Sequence, residues 1–346
     1  MDRDEEVIEG RAFIGEELLQ TPVAITVRKG IIRKIQEIPP RKLPWITPAL
    51  FNAHTHIADG VAMDIPLTGP LEDIVTPPSG LKHRILEQTP GEDLVRGMRA
   101  TISAMEAAGI RGFADFREGG IPGVRALSKA ASGLSCHPVI LGREGGELVA
   151  HGAGISSARD VPGLEAVVAE VRKAGKMLAI HAGERDPGDV DAALTFAPDL
   201  LVHCTHATRE QLRGISDEGI PIAVCPRSNW IFGVTDSARR PPLREMIDLG
   251  CRILIGTDNC MAVQPDLWRE MSFISTVYGL DPATIFRAAV SGSALTGDPY
   301  FIREGLPANF LVIDPAPTNL WLSRDPLKTL VTRAGSSNIV KKVISS

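Results

Sequence analysis

The sequence predicts an α/β fold, a (β/α)8 barrel of the TIM type with a small β-sandwich built from both termini. Three observations support this prediction. From residue 45 onward, short apolar runs alternate with amphipathic helical patterns, as parallel βα units do. The alternating stretch, residues 48–304, has the length of an ordinary barrel, roughly 250 residues. Further β-type runs lie before and after it.

The two ends of the chain have strand patterns that stand apart from the barrel. Before it, β-type runs separated by glycines occur at residues 7–8, 24–27 and 31–32. After it, strand patterns return at residues 309–314 and 339–344. We therefore predict a barrel domain over residues 48–304 and a discontinuous β-sandwich domain over residues 1–47 and 305–346.

Seven barrel strands are visible as short apolar runs, and an eighth is needed to complete the barrel. The seven runs cover residues 48–53, 112–116, 138–141, 178–181, 200–203, 220–224 and 253–257. The eighth strand must lie between residues 142 and 157. Residues 147–149 and residues 152–155 both fit, and the sequence leaves this choice open.

The helices between these strands have clear start and stop signals. Over residues 92–108, apolar side chains recur on one face, and Gly109 follows the last turn. Residues 164–174 show the same periodicity. Thr208 and Gln211 have the spacing of a capping box, which predicts that a helix begins there.

Composition and charge exclude several classes of protein. The 346 residues are 44% hydrophobic, as in a globular protein with a large core, and the net charge of −5 offers no basic surface. The acidic N-terminus predicts no signal peptide, and five scattered cysteines predict a reduced, cytoplasmic protein. We expect a small-molecule substrate, no nucleic-acid partner and no membrane contact, and whether the chain forms a homo-oligomer stays open.

Polar side chains that suit metal binding and proton transfer stand at the ends of the predicted strands. His54 and His56 end the first strand, and they point to the same side because side chains alternate along a strand. Later strands end in the same kind of residue, at His181 with Glu184, at His203 with His206, and at Asp258. Active sites of such barrels lie at the carboxyl ends of the strands. This pattern predicts a metal-dependent active site.

In this order, the residues resemble those of the amidohydrolase superfamily, metal-dependent hydrolases on a (β/α)8 barrel. The first-strand histidine pair, the histidines of the fifth and sixth strands and the aspartate of the eighth match the family pattern. The flanking β module also matches. The resemblance implies that one divalent ion, Zn²⁺ in preference to Fe²⁺, is bound by His54, His56, His181 and Asp258. It further implies that His203 lies over the metal-bound water.

Two shorter motifs resemble the deaminase branch of that superfamily. The segment from His181 to Glu184 is similar to the histidine and glutamate motif of adenosine and cytosine deaminases. The run Cys225-Pro226-Arg227-Ser228-Asn229 is similar to a segment of chlorohydrolases and S-adenosylhomocysteine deaminase. The resemblance therefore implies an aminohydrolase in which Glu184 shuttles protons.

The number of metal ions is predicted from a missing lysine. Binuclear members of the superfamily usually carry a carboxylated lysine at the end of the fourth strand. No lysine occurs between Lys129 and Lys173, which favours a single ion. Glu144 or Glu147 could replace that lysine, so a second ion stays open.

The predicted site residues fit hydrolytic deamination of an amino-substituted heterocycle such as a nucleobase or nucleoside. A divalent ion lowers the pKa of bound water toward roughly 7. We expect Asp258 to accept the proton of that water and His203 to support the nucleophile. Glu184 would protonate a ring nitrogen and pass protons to the leaving amine. The products would be ammonia and a carbonyl compound.

Two other functions are also consistent with these residues. A cyclic amide hydrolase of the same superfamily, with one or two metal ions, would use the same ligands to attack a carbonyl group. A binding protein that keeps the ion without turnover has no need for an acid–base pair, so Glu184 and Asp258 favour an enzyme. Structural roles also exist for both, since Glu184 could lie at a helix N-terminus and Asp258 could cap a turn.

Three arginines follow strand ends and suggest that the substrate carries an anionic group. Arg117, Arg143 and Arg227 could each be solvated or paired with an acid, but together they favour a site for a carboxylate or phosphate. His206 could contact the substrate or cap the following helix.

The long segment after the first strand predicts a cover or specificity element. Residues 58–83 are rich in proline and glycine, and a loop of this length in a compact barrel is often functional. The prolines are Pro66, Pro70, Pro77 and Pro78. The candidates for substrate contact are Asp59, Asp64 and Glu72.

Overall fold

The computed structural model describes residues 5–67, 69, 71–75 and 80–345. Its strands are β1 (Glu5–Ile14), β2 (Leu19–Arg28), β3 (Ile31–Glu37), β4 (Trp45–Pro48), β5 (Leu50–His56), β6 (Ile110–Arg117), β7 (His137–Gly142), β8 (Gly152–Ile155), β9 (Met177–Ala182), β10 (Leu200–His203), β11 (Ile222–Val224), β12 (Ile253–Ile255), β13 (Asp258–Asn259), β14 (Asn309–Ile313) and β15 (Ile339–Ile344).

The α-helices alternate with most of the central strands. They are α1 (Leu71–Val75), α2 (Leu81–Gln88), α3 (Gly91–Ala107), α4 (Gly120–Ala131), α5 (Leu164–Lys173), α6 (Pro187–Leu194), α7 (Arg209–Asp217), α8 (Pro226–Ile231), α9 (Leu243–Asp248), α10 (Leu267–Tyr278), α11 (Pro282–Ser291) and α12 (Pro326–Arg333). Helices α3 and α5 confirm the predicted periodicities. Helix α7 confirms the capping box, in which the backbone N–H of Gln211 donates to Thr208 Oγ1 and that of Thr208 donates to Gln211 Oε1.

The central sheet closes into the predicted barrel. Strands β5 to β12 pair in parallel in chain order, and β13, which directly follows β12, pairs with β5. The backbone N–H of Thr257 also donates to the carbonyl of His54 at 3.0 Å, across the same seam. Because helices cover the outside and side chains fill the inside, the barrel strands are almost entirely buried. This burial explains why they appear in the sequence as apolar runs.

The fourth barrel strand is β8, the second of the two positions that the sequence left open. Residues 147–149 instead belong to the connection between β7 and β8, which contains no helix. Two close approaches explain the glycines of this strand. A Cβ atom on Gly152 would lie 2.1 Å from the carbonyl oxygen of Met177, and one on Gly154 would lie 2.7 Å from the ring of Phe116. Larger apolar residues are therefore excluded here.

Both ends of the chain join in a second sheet, as the sequence predicts. Its six strands lie in the order β15-β14-β4-β1-β2-β3, and all neighbours are antiparallel except β1 with β4. This sheet has a hydrophobic core of its own, which includes Val23, Ile25 and Phe310. Between β14 and β15 the chain leaves the sheet, and α12 packs against α10 and α11 of the barrel.

A cover segment, defined here as the described residues between β5 and α3, follows the first barrel strand. It contains a 3-10 turn (Ile57–Ala62), α1 and α2. Ile74 of α1 packs with Met261, which follows β13. Three of the prolines that mark this segment in the sequence, and the side chain of Glu72, lie outside the described residues: Pro70, Pro77 and Pro78.

Two smaller observations complete the fold. All five cysteines are buried, and none forms a disulfide. In the described part of the chain, no helix is both long enough and apolar enough to cross a membrane.

Candidate metal centre and active site

Four of the predicted residues meet at the carboxyl ends of the barrel strands. Each offers one ligand atom, and these atoms all lie within 4.8 Å of one another in the buried group His54, His56, His181 and Asp258. His54 Nε2 is 3.2 Å from both Asp258 Oδ1 and His181 Nε2. The Nε2 atoms of His56 and His181 are 3.4 Å apart. The structure therefore brings the whole predicted ligand set to one point.

Three strands place these side chains. His54 and His56 lie on β5 with one residue between them, so the alternation of the strand directs both rings inward. His181 lies near the end of β9. Asp258 begins β13, opposite Thr55 of β5. The fourth ligand thus reaches the first two across the seam where the barrel closes.

The protonation states of this group suit a divalent cation. Burial lowers the pKa of all three histidines: that of His56 falls to about 3, and that of His181 falls well below its usual value. The imidazoles are therefore neutral. Burial would raise the pKa of Asp258, but its hydrogen bond with His54 holds it well below the usual range. Neutral imidazoles and an ionised carboxylate are the donors that zinc and iron bind. The residues present therefore fit a metal ion.

Hydrogen bonds orient three of the four side chains. His181 Nδ1 donates to the carbonyl of Ile155 at 2.8 Å, which leaves Nε2 unprotonated. His56 Nδ1 lies 3.1 Å from Glu118 Oε1. Ser228 donates its hydroxyl to Asp258 Oδ2 at 2.5 Å, on the side away from His54. Each contact leaves the inward atom free to bind a cation.

Glu184 and His203 form a second pair beside the metal centre. His203 Nε2 lies 3.4 Å from Glu184 Oε1, and both residues line the same cavity as His56, His181 and Asp258. Burial raises the pKa of Glu184 above its usual value. A carboxyl group with a raised pKa keeps its proton to a higher pH than usual and can release it to a bound molecule. This placement is consistent with the predicted proton shuttle.

The cavity has a volume of about 380 Å³, which suits a small heterocyclic molecule. Its lining includes the apolar side chains of Val75, Ile155, Val161, Pro162 and Phe232. It also includes the ligands His56 and His181 and the Glu184–His203 pair. A lining that combines apolar side chains with a few polar groups is typical of sites that bind small molecules.

Of the predicted substrate-binding residues, only Arg143 lies among the described residues that line the cavity. Arg143 is 9% exposed, and its Nε and Nη2 atoms have no hydrogen-bond partner among the described residues. A buried guanidinium is costly unless something pairs with it.

The structure places the other three candidates in protein contacts. Arg117 pairs with Asp115 and Glu118 inside the barrel end. Arg227 pairs with the buried Glu270, to which its Nε donates at 2.5 Å. His206 Nε2 lies 3.2 Å from the carbonyl of Val234. Their substrate contacts stay predictions.

The acidic residues considered for a second metal or for substrate contact are not part of the four-residue metal group. Glu144 and Glu147 line the cavity but are not part of the four-residue group, and they accept from the backbone N–H groups of Gly119 and Gly145. Asp59 is fully buried against Lys82, whereas Asp64 is exposed.

Three residues of the site were not found by reasoning from the sequence: Lys82, Glu118 and Ser228. Ser228 lies in the Cys225–Asn229 run, so a signal for it was present. Lys82 has charged or polar neighbours typical of an exposed helix, and Glu118 follows a strand like many surface acids. Their burial depends on how the cover segment packs, which no local pattern predicts.

Comparison with known proteins supports the family resemblance that the sequence motifs indicate. The model of the amidohydrolase family matches residues 45–346, which is most of the chain. A putative aminohydrolase from Methanothermobacter thermautotrophicus is 35% identical, over 97% of this chain and 96% of the relative.

Two further proteins are more distant. A 5-methylthioadenosine/S-adenosylhomocysteine deaminase from Pyrococcus horikoshii is 25% identical over 95% of this chain and 88% of its own. The crystal structure of an adenosine deaminase from Xanthomonas campestris with bound zinc superposes with a TM-score of 0.74 at 15% identity, covering 98% of this chain and 91% of that one. The superposition shows a shared fold.

Proposed function

The chain belongs to the amidohydrolase family and is a hydrolase acting on carbon–nitrogen bonds, and on this premise we propose that it deaminates an amino-substituted heterocycle hydrolytically. The observation that carries the proposal is the Glu184–His203 pair, 3.4 Å apart beside the metal ligands. Hydrolysis at a ring carbon needs proton transfer to a ring nitrogen and to the leaving amine, which such a pair can provide. The deaminases among the similar proteins support this reaction.

We propose one divalent ion, zinc in preference to iron, held by the three imidazoles and the carboxylate. When bound, such an ion lowers the pKa of water toward about 7 and so supplies a nucleophile at neutral pH. The zinc bound to the adenosine deaminase of similar fold supports this choice.

The residues of this chain then divide the proton transfers between them. Asp258, held ionised by its hydrogen bond with His54, accepts the proton of the attacking water. Glu184 donates its proton to the ring nitrogen, takes the proton of the added hydroxyl as the carbonyl forms, and passes it to the leaving amine. The proton that Asp258 accepted then restores Glu184 to its protonated form. His203, which ends β10, stabilises the water oxygen as it adds to the ring carbon. Water and the amino compound are consumed, and ammonia and a carbonyl compound are formed.

The substrate is proposed to be a nucleobase, a nucleoside or a related compound with an anionic group. The unpartnered Nε and Nη2 atoms of Arg143 support the anionic group, because these two nitrogens can bind a carboxylate or phosphate side by side. Lys82, which lines the same cavity, adds a second positive charge nearby.

The deaminase proposal is tested by ammonia release from purines, pyrimidines, pterins and their anionic derivatives, with protein of known metal content. We expect release from at least one compound. The variant Glu184→Gln should lower kcat by about 100-fold or more while metal content stays the same. No release from any compound by fully metallated protein, together with the opening of a cyclic amide, would instead support an amide hydrolase.

The anionic substrate is tested with Arg143→Met. We expect KM for the anionic substrate to rise about 10- to 100-fold, as for a lost charge-assisted hydrogen bond, and KM for its neutral analogue to stay the same. Arg185→Met is the matched control, since Arg185 lines the same cavity but is paired with Asp160. Equal effects of the Arg143 substitution on both compounds would contradict an anion site.

A further inference from the structure

A group of charged side chains is buried directly behind the metal centre. We call it the ionic cluster, and its members are Asp59, Lys82, Asp115, Arg117 and Glu118. All five are at most 7% exposed. Buried ion pairs seldom add stability over apolar residues of similar size, because desolvation offsets their attraction. A role in holding a specific geometry explains such a cluster better than stability does.

The ionic cluster contacts one metal ligand, His56, through Glu118. His56 Nδ1 lies 3.1 Å from Glu118 Oε1, and the side chains of both residues are about 6–7% exposed. An ionised carboxylate can only accept, so Nδ1 carries the proton and Nε2 keeps its lone pair. That Nε2 atom points toward the other ligands, 3.4 Å from His181 Nε2. Glu118 thus selects the tautomer of His56 that can bind a cation.

Glu118 is itself held at both oxygen atoms. Lys82 Nζ donates to Oε1 at 3.2 Å, and Arg117 Nη2 donates to Oε2. Lys82 also donates to Asp59 Oδ2 at 2.9 Å. The carboxylate of Glu118 therefore cannot rotate away from His56 without breaking a buried ion pair.

Lys82 comes from a different part of the chain than the other members of this contact. It lies on α2 of the cover segment, whereas Glu118 directly follows β6 and His56 ends β5. The side chain of Lys82 also forms part of the cavity wall. A continuous line of polar contacts therefore runs from the cover segment to a metal ligand.

We propose that Glu118 and Lys82 are positioning residues for the metal ligand His56. Glu118 fixes the ring by accepting from Nδ1, and Lys82 fixes Glu118 in that orientation. Neither has to touch the substrate for this role. The inference rests on the metal centre of the proposed function, but it concerns metal affinity and not the reaction.

The test is the zinc affinity of the whole protein, measured by competition with a chromogenic chelator. Glu118→Gln should weaken zinc binding by about 10- to 100-fold, as substitutions behind metal-bound histidines do. Lys82→Met should also weaken it. Simple electrostatics predicts the opposite for Lys82→Met, because removing a positive charge favours a nearby cation. The double variant Glu118→Gln/Lys82→Met should bind zinc as Glu118→Gln alone does, because Lys82 acts through the carboxylate of Glu118.

Two matched controls separate position from charge and from general damage. Asp59→Asn removes a carboxylate from the same ionic cluster but leaves the contact between Glu118 and His56, so zinc affinity should stay close to that of the unmodified protein. Lys176→Met removes a half-buried lysine that bonds the carbonyl of Ala150 at the opposite end of β9, and it should have no effect. Cooperative thermal unfolding of each metal-free variant establishes that it is folded.

Three results would overturn the inference: unchanged zinc affinity in Glu118→Gln, an equal loss in Asp59→Asn, or tighter binding in Lys82→Met. If Glu118→Gln does not fold, Glu118→Asp keeps the charge, shortens the reach and should still weaken binding. Protein that binds zinc with this pattern but releases no ammonia would contradict the deaminase proposal and leave the positioning role intact.

Discussion

Two residues of the site adopt a backbone conformation that non-glycine residues seldom take. His203 has a φ of 71° and Asp258 a φ of 62°. The left-handed region costs such residues about 1 kcal/mol or more, and it persists only where the surroundings fix it. His203 ends β10 and Asp258 begins β13, so the strand ladders provide that fixation. At this scale, directing a side chain into the cavity takes precedence over local backbone preference.

The ionisation of Asp59 should make the stability of the protein depend on pH. Burial raises the pKa of Asp59 from its usual 3.8 to about 6. A carboxyl group with a raised pKa contributes stability that is fully present below its unfolded pKa and is lost as pH rises through its folded pKa. Asn does not titrate, so the free energy of unfolding of Asp59→Asn should rise relative to that of the unmodified protein by about 2 kcal/mol between pH 4 and pH 8. Chemical unfolding at several pH values measures this difference, and a constant difference would contradict the prediction.

At the scale of single residues, the sequence was sufficient to identify the side chains whose role depends on local spacing. His54 and His56 were found because side chains two positions apart on a strand point to the same side, and this holds in any fold. Lys82 and Glu118 lie 36 positions apart and meet only when α2 packs on the barrel end. Likewise, the sequence gives no sign that Arg227 pairs with Glu270 and not with a ligand.

Strand β8 shows where pattern reasoning loses precision at the scale of elements. Seven barrel strands were predicted as apolar runs, helices α3 and α5 from their periodicity, and helix α7 from its capping box. The sequence of β8, Gly-Ala-Gly-Ile, has no such pattern, and no helix separates it from β7. Its glycines are required by contacts with Phe116 and Met177 that lie far away in sequence.

Two glycine substitutions should therefore have opposite effects. In Gly154→Ala, the new methyl group would meet the ring of Phe116, which packs edge-on against His54 at a centroid distance of 4.5 Å. We expect a loss of about 1–3 kcal/mol in the free energy of unfolding, together with weaker metal binding. In Gly214→Ala, within α7, nothing lies within 4 Å, and a gain of about 0.5–1 kcal/mol is expected. Thermal unfolding of both variants checks this, and equal effects would contradict it.

For the whole molecule, the metal centre is expected to support the closure of the barrel. His54 and Asp258 lie on opposite sides of the seam between β5 and β13, so a shared ion links the first and last barrel strands. Removal of the metal with a chelator should lower the melting temperature, and added zinc should restore it. At free metal 100 times above its dissociation constant, binding contributes about 2.7 kcal/mol.

Two variants serve as controls for this experiment. His181→Ala removes a ligand and should abolish the response to zinc, whereas Glu184→Gln should keep it, since Glu184 lies outside the group of four ligands. A melting temperature that stays constant while metal analysis shows complete release would contradict a stabilising role of the ion.

The position of β4 has a consequence for how the chain is made. This strand lies between β1 and β14, so its second edge is covered only by a strand that follows the entire barrel in sequence. During synthesis on the ribosome, β4 leaves the exit tunnel long before β14, and its unpaired edge stays available to other chains. Products truncated within the barrel should therefore aggregate, and completion of the terminal sheet is a late step of biosynthesis.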